Sequence, residues 1–210
     1  MKITKIEVQK KNKNRVNLYL DDSFYCGLLA ETVVKYRLKE GAEINANFVE
    51  FLKNETENEM ALNKATSFIS KSQKSKKQVF DYLLKKGFDE TSIDFAIKKL
   101  SEYNYVNDEL FAKNFVKYKT NSNGKRKILL ELKQKGVEDS LAKQQIEEFS
   151  NDSENIKHVA QKYLKGKDLS DIKTKQKAYR FLASKGYESS DILSALNKML
   201  KEVDEVESWD

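Results

Sequence analysis

The chain has 210 residues, 39% hydrophobic and 34% charged, with a formal charge of +6 and a mean hydropathy of −0.72. That balance suits slender modules with much surface better than one thick globule. The single Cys26 excludes an internal disulfide, no apolar run is long enough to span a bilayer, and the first twenty residues alternate charged with apolar side chains where a secretory leader carries an apolar core. The expectation is a soluble, cytoplasmic, monomeric protein of a reducing compartment.

The first elements read as strands. Segments 3–9 (ITKIEVQ), 15–21 (RVNLYLD) and 23–28 (SFYCGL) are short β-branched or aromatic runs, and Val16, Leu18 and Leu20 alternate with Asn17 and Tyr19. The polar loop KKNKN and a tight Asp21-Asp22 turn separate them, giving a small antiparallel meander. A helix over 29–38 covers one face and stops near Gly41, and a second helical run, 47–60, leads out of the module.

From about residue 59 the pattern is helical, with no proline anywhere in the chain. Three segments echo one another: LLKKGFDE (83–90), ELKQKGVED (131–139) and FLASKGYES (181–189). Their glycines, Gly87, Gly136 and Gly186, are 49 and 50 residues apart, the period of tandem structural units. In the helix before each glycine the apolar positions keep one register: Val79, Phe80, Leu83; Ile128, Leu129, Leu132; Ala178, Tyr179, Leu182. A further helix follows each glycine, with Ile93, Ala96, Ile97 and Leu100 matched by Ile192, Ala195, Leu196 and Met199, and more loosely by Ala142, Gln145 and Ile146. Ala65, Ala112 and Ala160 are matching small positions in the first helix of each unit. The fold class is therefore mainly α: three tandem three-helix repeats forming an elongated curved rod, preceded by a β-meander and helix module. The boundaries are 1–58 for that module, 59–106, 107–151 and 152–201 for the repeats, and 202–210 for an acidic tail. Leu83, Leu132 and Leu182 are repeat-core residues, and the glycines are the hinges between second and third helices.

Candidate chemistry is sparse. The only histidine, His158, has no Cys or second His at ligand spacing and reads as structural, so neither metal nor cofactor is expected. Cys26 reads as a small core hydrophobe and Asp21-Asp22 as turn formers. NGKRK (123–127) has a glycine-lysine pair but lacks the upstream glycine and downstream Ser/Thr of a phosphate-binding loop. No nucleophile and base are arranged for catalysis, and no catalytic residue is assigned.

Charge is the stronger signal. Residues 1–60 are neutral, 61–201 carry 29 Lys/Arg against 18 Asp/Glu, and 202–210 carry five acids and no base. Bases recur where each second helix begins: Lys71, Lys74, Lys76 and Lys77; Lys125, Arg126 and Lys127; Lys173, Lys175 and Lys177. Cations oppose the macrodipole at a helix N-terminus, so their recurrence in register favours a shared anionic contact over a merely solvated face. Ser75 with Gln78 forms a capping-box pattern that would hold the first of these ends.

The amino-terminal ITKIEVQKKNKNRVNLYLDDSF, then SKKQVFDYLLKKGF, YVNDELFAKNFVKYK and KILLELKQKG, in this order and spacing, resemble the RecX family, bacterial regulators of the RecA recombinase. The likeness covers nearly the whole chain. It implies a non-enzymatic modulator of recombination and SOS repair that lies along the groove of the RecA filament on single-stranded DNA and hinders strand exchange, ATP turnover and coprotease activity. Single-stranded DNA, and duplex DNA beside it, are the nucleic-acid partners this implies. The family pattern favours arginine before the second helix; Lys71 and Lys74 here keep the charge without the bidentate fork. Two other classes stay open. A sequence-specific DNA-binding protein would place third helices in major grooves, yet these begin with Asp89 and Glu90 or with Glu188 and Asp191, which phosphates repel. A general helical scaffold for acidic proteins needs only the positive face.

Small-angle scattering checks the elongated arrangement: a distance distribution with a long tail is expected, and a compact sphere at 24.4 kDa contradicts it.

Overall fold

The computed structural model describes residues 1–149 and 152–207, so the end of the expected acidic tail lies outside the described residues. Two compact units are present: Met1–Gln73 with Val79–Val106, and Lys74–Gln78 with the described residues from Asn107 onward.

The first unit opens with β1 (Ile3–Gln9), β2 (Asn12–Leu20) and β3 (Ser23–Leu29), antiparallel in the order β1-β2-β3. The Val16, Leu18, Leu20 alternation points inward as expected and joins Ile3, Cys26, Leu28, Leu38, Val49 and Leu52 in one core. Burial pushes the Cys26 thiol above its ordinary pKa, against a small opposing pull from Lys53. Asp21 and Asp22 both take positive φ, 47° and 65°, which the two-residue hairpin turn requires. The Asp21 carboxylate accepts from the Lys2 backbone N–H at 2.9 Å, so this pair of acids is structural. β2 starts three residues before the expected strand because the Lys10-Lys11 turn alone suffices to reverse the chain. The outer edge of β1 is covered: Ile3 N–H donates to the Ala42 carbonyl, and Ile6 N–H to the Glu40 carboxylate.

Two helical expectations change. Helix α1 is short, Ala30–Lys35, because Arg37 takes a left-handed φ of 49° and the Leu38 N–H turns back to the Val33 carbonyl; Gly41 lies beyond this stop. The runs 47–60 and 61–69 are one helix, α2 (Ala46–Ile69), capped by the Asn45 side chain and uninterrupted because no glycine or proline divides them. Val49 and Leu52 of α2 enter the sheet core, whereas Ala61 and Ala65 enter the next one with Val79, Leu83, Ile93, Ala96, Leu100 and Val106. That next core is built by the end of α2 with α3 (Lys76–Lys85) and α4 (Glu90–Glu102).

The second unit contains α5 (Asp108–Lys119), α6 (Lys125–Gln134) and α7 (Asp139–Phe149), then α8 (Asp152–Leu164), α9 (Ile172–Ser184) and α10 (Ser189–Glu207). Each triplet has its own core, and the fold is mainly helical with three three-helix domains, as the sequence period predicts. Leu83, Leu132 and Leu182 are completely buried, as are Ala65 and Ala112.

The repeated glycines all serve one turn. Gly87, Gly136 and Gly186 have φ of 88°, 79° and 87°. Behind each, the next amide reaches back five residues: Phe88 to the Leu83 carbonyl, Val137 to Leu132, Tyr187 to Leu182, at 3.1 to 3.4 Å. The glycine amides bond the Leu84, Lys133 and Ala183 carbonyls at 2.9 to 3.0 Å. This is the Schellman arrangement, whose hydrophobic contact joins each conserved-register leucine to the aromatic or valine after the glycine.

The three glycines differ in their surroundings. A Cβ on Gly87 would meet nothing within 4 Å, one on Gly136 would lie 2.3 Å from Lys77 Cβ, and one on Gly186 2.5 Å from the Lys127 backbone nitrogen. Gly87→Ala therefore costs only the left-handed strain, about 1–2 kcal/mol. Gly186→Ala adds an overpacking cost of about 1–3 kcal/mol. Urea unfolding followed by circular dichroism checks this order; equal losses at both positions would contradict it.

Candidate nucleic-acid interface

Helix α6 begins after its N-cap Gly124, and two amides at this end bond to protein. Gly124 N–H donates to the Lys185 carbonyl at 2.9 Å and Arg126 N–H to the Gly186 carbonyl at 3.3 Å. The unsatisfied donors at the start of α6 thus meet the unsatisfied acceptors at the end of α9, positive helix end against negative. Gly124 is needed for the approach, since a Cβ there would stand 2.5 Å from the Gly186 oxygen. The glycine of NGKRK is a packing residue.

Segment 74–78 makes a related contact inside the second unit. Ser75 is buried; its hydroxyl donates to the Lys135 carbonyl at 2.5 Å and accepts from Gln78 N–H, while the Gln78 side chain accepts from Ser75 N–H at 3.1 Å. The capping box is thus formed, and Ser75 also reaches the turn beside Gly136. Lys76 N–H is held by the Asp108 carboxylate at 2.8 Å.

Helix α9 differs. It begins six residues before Ala178, whereas α3 and α6 begin three before Val79 and Ile128, so it has about one extra turn. Asp171 caps it, accepting from the Lys173 and Thr174 amides at 3.2 and 3.0 Å. Hydrogen bonds from the Thr174 hydroxyl first, then from these amides, hold the Asp171 carboxyl below its ordinary pKa.

These contacts sort the ten expected bases. Lys76 and Lys77 are exposed and Lys74 half-buried; Lys125 and Arg126 are exposed, and Lys127 is half-buried against Gly186. Arg126 Nε lies 3.6 Å from the Glu188 carboxylate, an exposed and weak pair. Lys173 and Lys177 are exposed, while Lys175 donates to the Asn197 side chain at 3.1 Å. Lys71 belongs to the first unit, just past the end of α2, and the other nine belong to the second. The bases form separate clusters at helix starts. Lysines dominate them, which suits neutralising phosphate charge without reading bases. His158 is exposed on α8, and among the described residues no three His, Cys, Asp or Glu side chains group as metal ligands.

Sequence reasoning missed a second lysine set. Lys86, Lys135 and Lys185 each precede a repeat glycine, where a cation suits the negative helix end, and each stands over a ring: Tyr82 at 5.7 Å, Phe115 at 5.4 Å and Phe181 at 5.4 Å. The signal was present as a lysine before each of the three repeat glycines, a dipeptide that also occurs once outside them, at Lys165-Gly166. Lys185 joins Lys125, Arg126 and Lys127 around one helix junction.

Four family descriptions match the chain in order: regulatory protein RecX N-terminal domain over residues 1–45, and the RecX first, second and third three-helix domains over 61–100, 107–144 and 151–196. Regulatory protein RecX of Clostridium beijerinckii is 40% identical over 97% of this chain and 97% of its own. This chain belongs to the RecX family. The RecX of Clostridium tetani is 37% identical over 95% of this chain and 94% of its own, and that of Bacillus subtilis 35% identical over 97% and 79%. A crystal structure of a regulatory protein RecX superposes with a TM-score of 0.68 at 23% identity, covering 93% of this chain and 98% of that one. A RecX structure from Lactobacillus salivarius gives 0.60 at 22%, covering 68% and 96%. These two likenesses establish the RecX fold. No helix among the described residues is long and apolar enough to cross a membrane.

Because the exposed bases lie outside the cores, Lys125→Glu, Arg126→Glu and Lys177→Glu each shift stability by under about 0.5 kcal/mol. Leu132→Ala removes about 2–5 kcal/mol. Thermal melting separates the two sets, and a large loss in the charge variants would show these bases to be part of the fold.

Proposed function

We propose that this chain regulates recombination without chemistry of its own, binding the RecA filament on single-stranded DNA in the cytoplasm and slowing RecA ATP hydrolysis, strand exchange and coprotease activity. The observation that carries this reading is the recurrence of lysine-rich helix starts, that of α6 set by backbone contacts at a helix junction, that of α3 by the Ser75 and Asp108 side chains and that of α9 by its Asp171 cap. A polymer with a repeating acidic surface can engage such clusters several at a time, and linked weak contacts give avidity that no single cluster supplies. The regulatory name shared by the relatives supports the same class. The acidic starts of the third helices weigh against insertion into a DNA groove: Asp89 caps α4 through Ser92 N–H at 2.7 Å, and Asp139 pairs with Lys133 at 2.7 Å.

Purified protein added to preformed RecA filaments is expected to lower ATP turnover and strand exchange, and to co-sediment with them less as salt rises. Reversing Lys76, Lys77, Lys125, Arg126, Lys175 and Lys177 to Glu abolishes co-sedimentation and flattens its salt dependence, since fewer counterions are released. No binding to filaments at any low salt concentration would sink the proposal. Unchanged binding by the charge-reversed protein would remove these bases from the interface.

A further inference from the structure

The first unit holds a groove of about 830 Å³ whose lining includes Arg15, Lys64, Lys71 and Lys86 around the rings of Phe68 and Tyr82. Among the described residues no carboxylate lines it. Four cations with no lining anion make this a site of one sign, although the first sixty residues are neutral overall.

Its parts come from three places in the fold. Lys64 and Phe68 lie four residues apart on one face of α2, and Lys71 follows just past its C-cap Ser70. Tyr82 and Lys86 come from α3 and its turn, and Arg15 from β2. Phe68 and Tyr82 are stacked, with centroids 3.9 Å apart and planes 7° from parallel, and the Lys86 ammonium stands 5.7 Å from the Tyr82 ring centre. Both rings are half-buried. Arg15 is half-buried too, and its Nε–H, buried, has no hydrogen-bond partner among the described residues. Gly27 leaves the space that the Arg15 side chain occupies, since a Cβ there would lie 3.0 Å from Arg15 Nη2. A buried donor without an acceptor is costly, and an anion in the groove would supply one.

We propose that this groove binds a short segment of single-stranded nucleic acid, its phosphates on Arg15, Lys64, Lys71 and Lys86 and a base extending the Phe68–Tyr82 stack. Charge alone would also admit an acidic peptide. The stacked pair and the amides of Asn12, Asn14 and Asn63 on the same lining favour bases, which offer a π-face and hydrogen-bonding edges. A duplex does not fit this chemistry, because its bases are already stacked and paired while the rings lie within the groove. The proposal deepens the regulator reading and rests on it for the polymer the groove meets.

The test is binding of a fluorescein-labelled oligothymidylate to the full chain in the absence of RecA, followed by anisotropy at several salt concentrations. Lys64→Glu with Lys71→Glu, both exposed positions, weakens binding about tenfold or more and lowers the salt slope. Tyr82→Leu keeps an apolar side chain and weakens binding about fivefold or more at unchanged salt slope. Thermal melting confirms that each variant is folded. The proposal is overturned if the parent does not bind the oligonucleotide at low salt, if the folded charge variant binds as the parent does, or if polyglutamate of equal charge competes as well as unlabelled oligothymidylate. Equal binding of a matched duplex that ignores Tyr82→Leu also overturns it. RecA ATPase assays run in parallel keep the two readings separate: oligonucleotide binding that depends on the groove, with no effect on filaments, would count against the regulator reading alone.

Discussion

The contact between the first amides of α6 and the last carbonyls of α9 organises the second unit. Helix ends carry unsatisfied donors or acceptors, and burying them alone is expensive. Here one end satisfies the other: Gly124 and Arg126 donate to Lys185 and Gly186 across a separation that only glycines allow. The Schellman turn presents the carbonyls, because its left-handed glycine bends the chain away and leaves the Lys185 and Gly186 oxygens outward. One backbone geometry therefore both ends the second helix of a repeat and receives another helix start. At α9 the pattern stops, since its extra turn and the Asp171 cap already satisfy the amides that correspond to the donors of α6.

This contact also changes the meaning of the basic helix starts. Viewed along a single helix, a lysine run at the N-terminus opposes the macrodipole and requires some external anion. In three dimensions Lys125, Arg126 and Lys127 stand beside the C-terminal carbonyls of α9, whose partial negative charge offsets the unfavourable term. The folding cost inferred from sequence is thus partly met inside the molecule. What still favours a polyanion is the crowding of cations there, with Lys185 added, and the long solvated side chains of Lys125 and Arg126. Lys71, grouped with the helix starts by sequence proximity, lines a different surface with Arg15, Lys64 and Lys86.

The fold was legible where local rules and repetition agree. Alternation in β2 and the apolar register before each glycine follow from periods of 2 and 3.6 residues, and the Asp21-Asp22 turn from the preference of aspartate for turns. The capping box at Ser75 was readable as well. Its hydroxyl bond to Lys135 was not, because it joins positions 60 residues apart that no local pattern links. Gly124 shows the same limit: the sequence around it lacks the pattern of a phosphate loop and offers no other role, and only the approach of the Gly186 turn reveals a packing one. The continuous α2 was hidden by a domain-like change of composition near residue 59, although nothing in the local sequence breaks a helix there. Arg15 lies in a polar stretch at the start of a strand, and its place beside the Phe68–Tyr82 stack depends wholly on tertiary structure. Lys86, Lys135 and Lys185 were within reach, since the lysine recurs with the glycine; attention to the glycine concealed them.

Residue-resolved hydrogen exchange on the full chain tests most directly whether helix ends join in this way. The account predicts that the Gly124 and Arg126 amides exchange as slowly as interior amides of α6, because both bond to carbonyls near the Gly186 turn. Exchange at these two amides as fast as at the exposed Asn121 would contradict it.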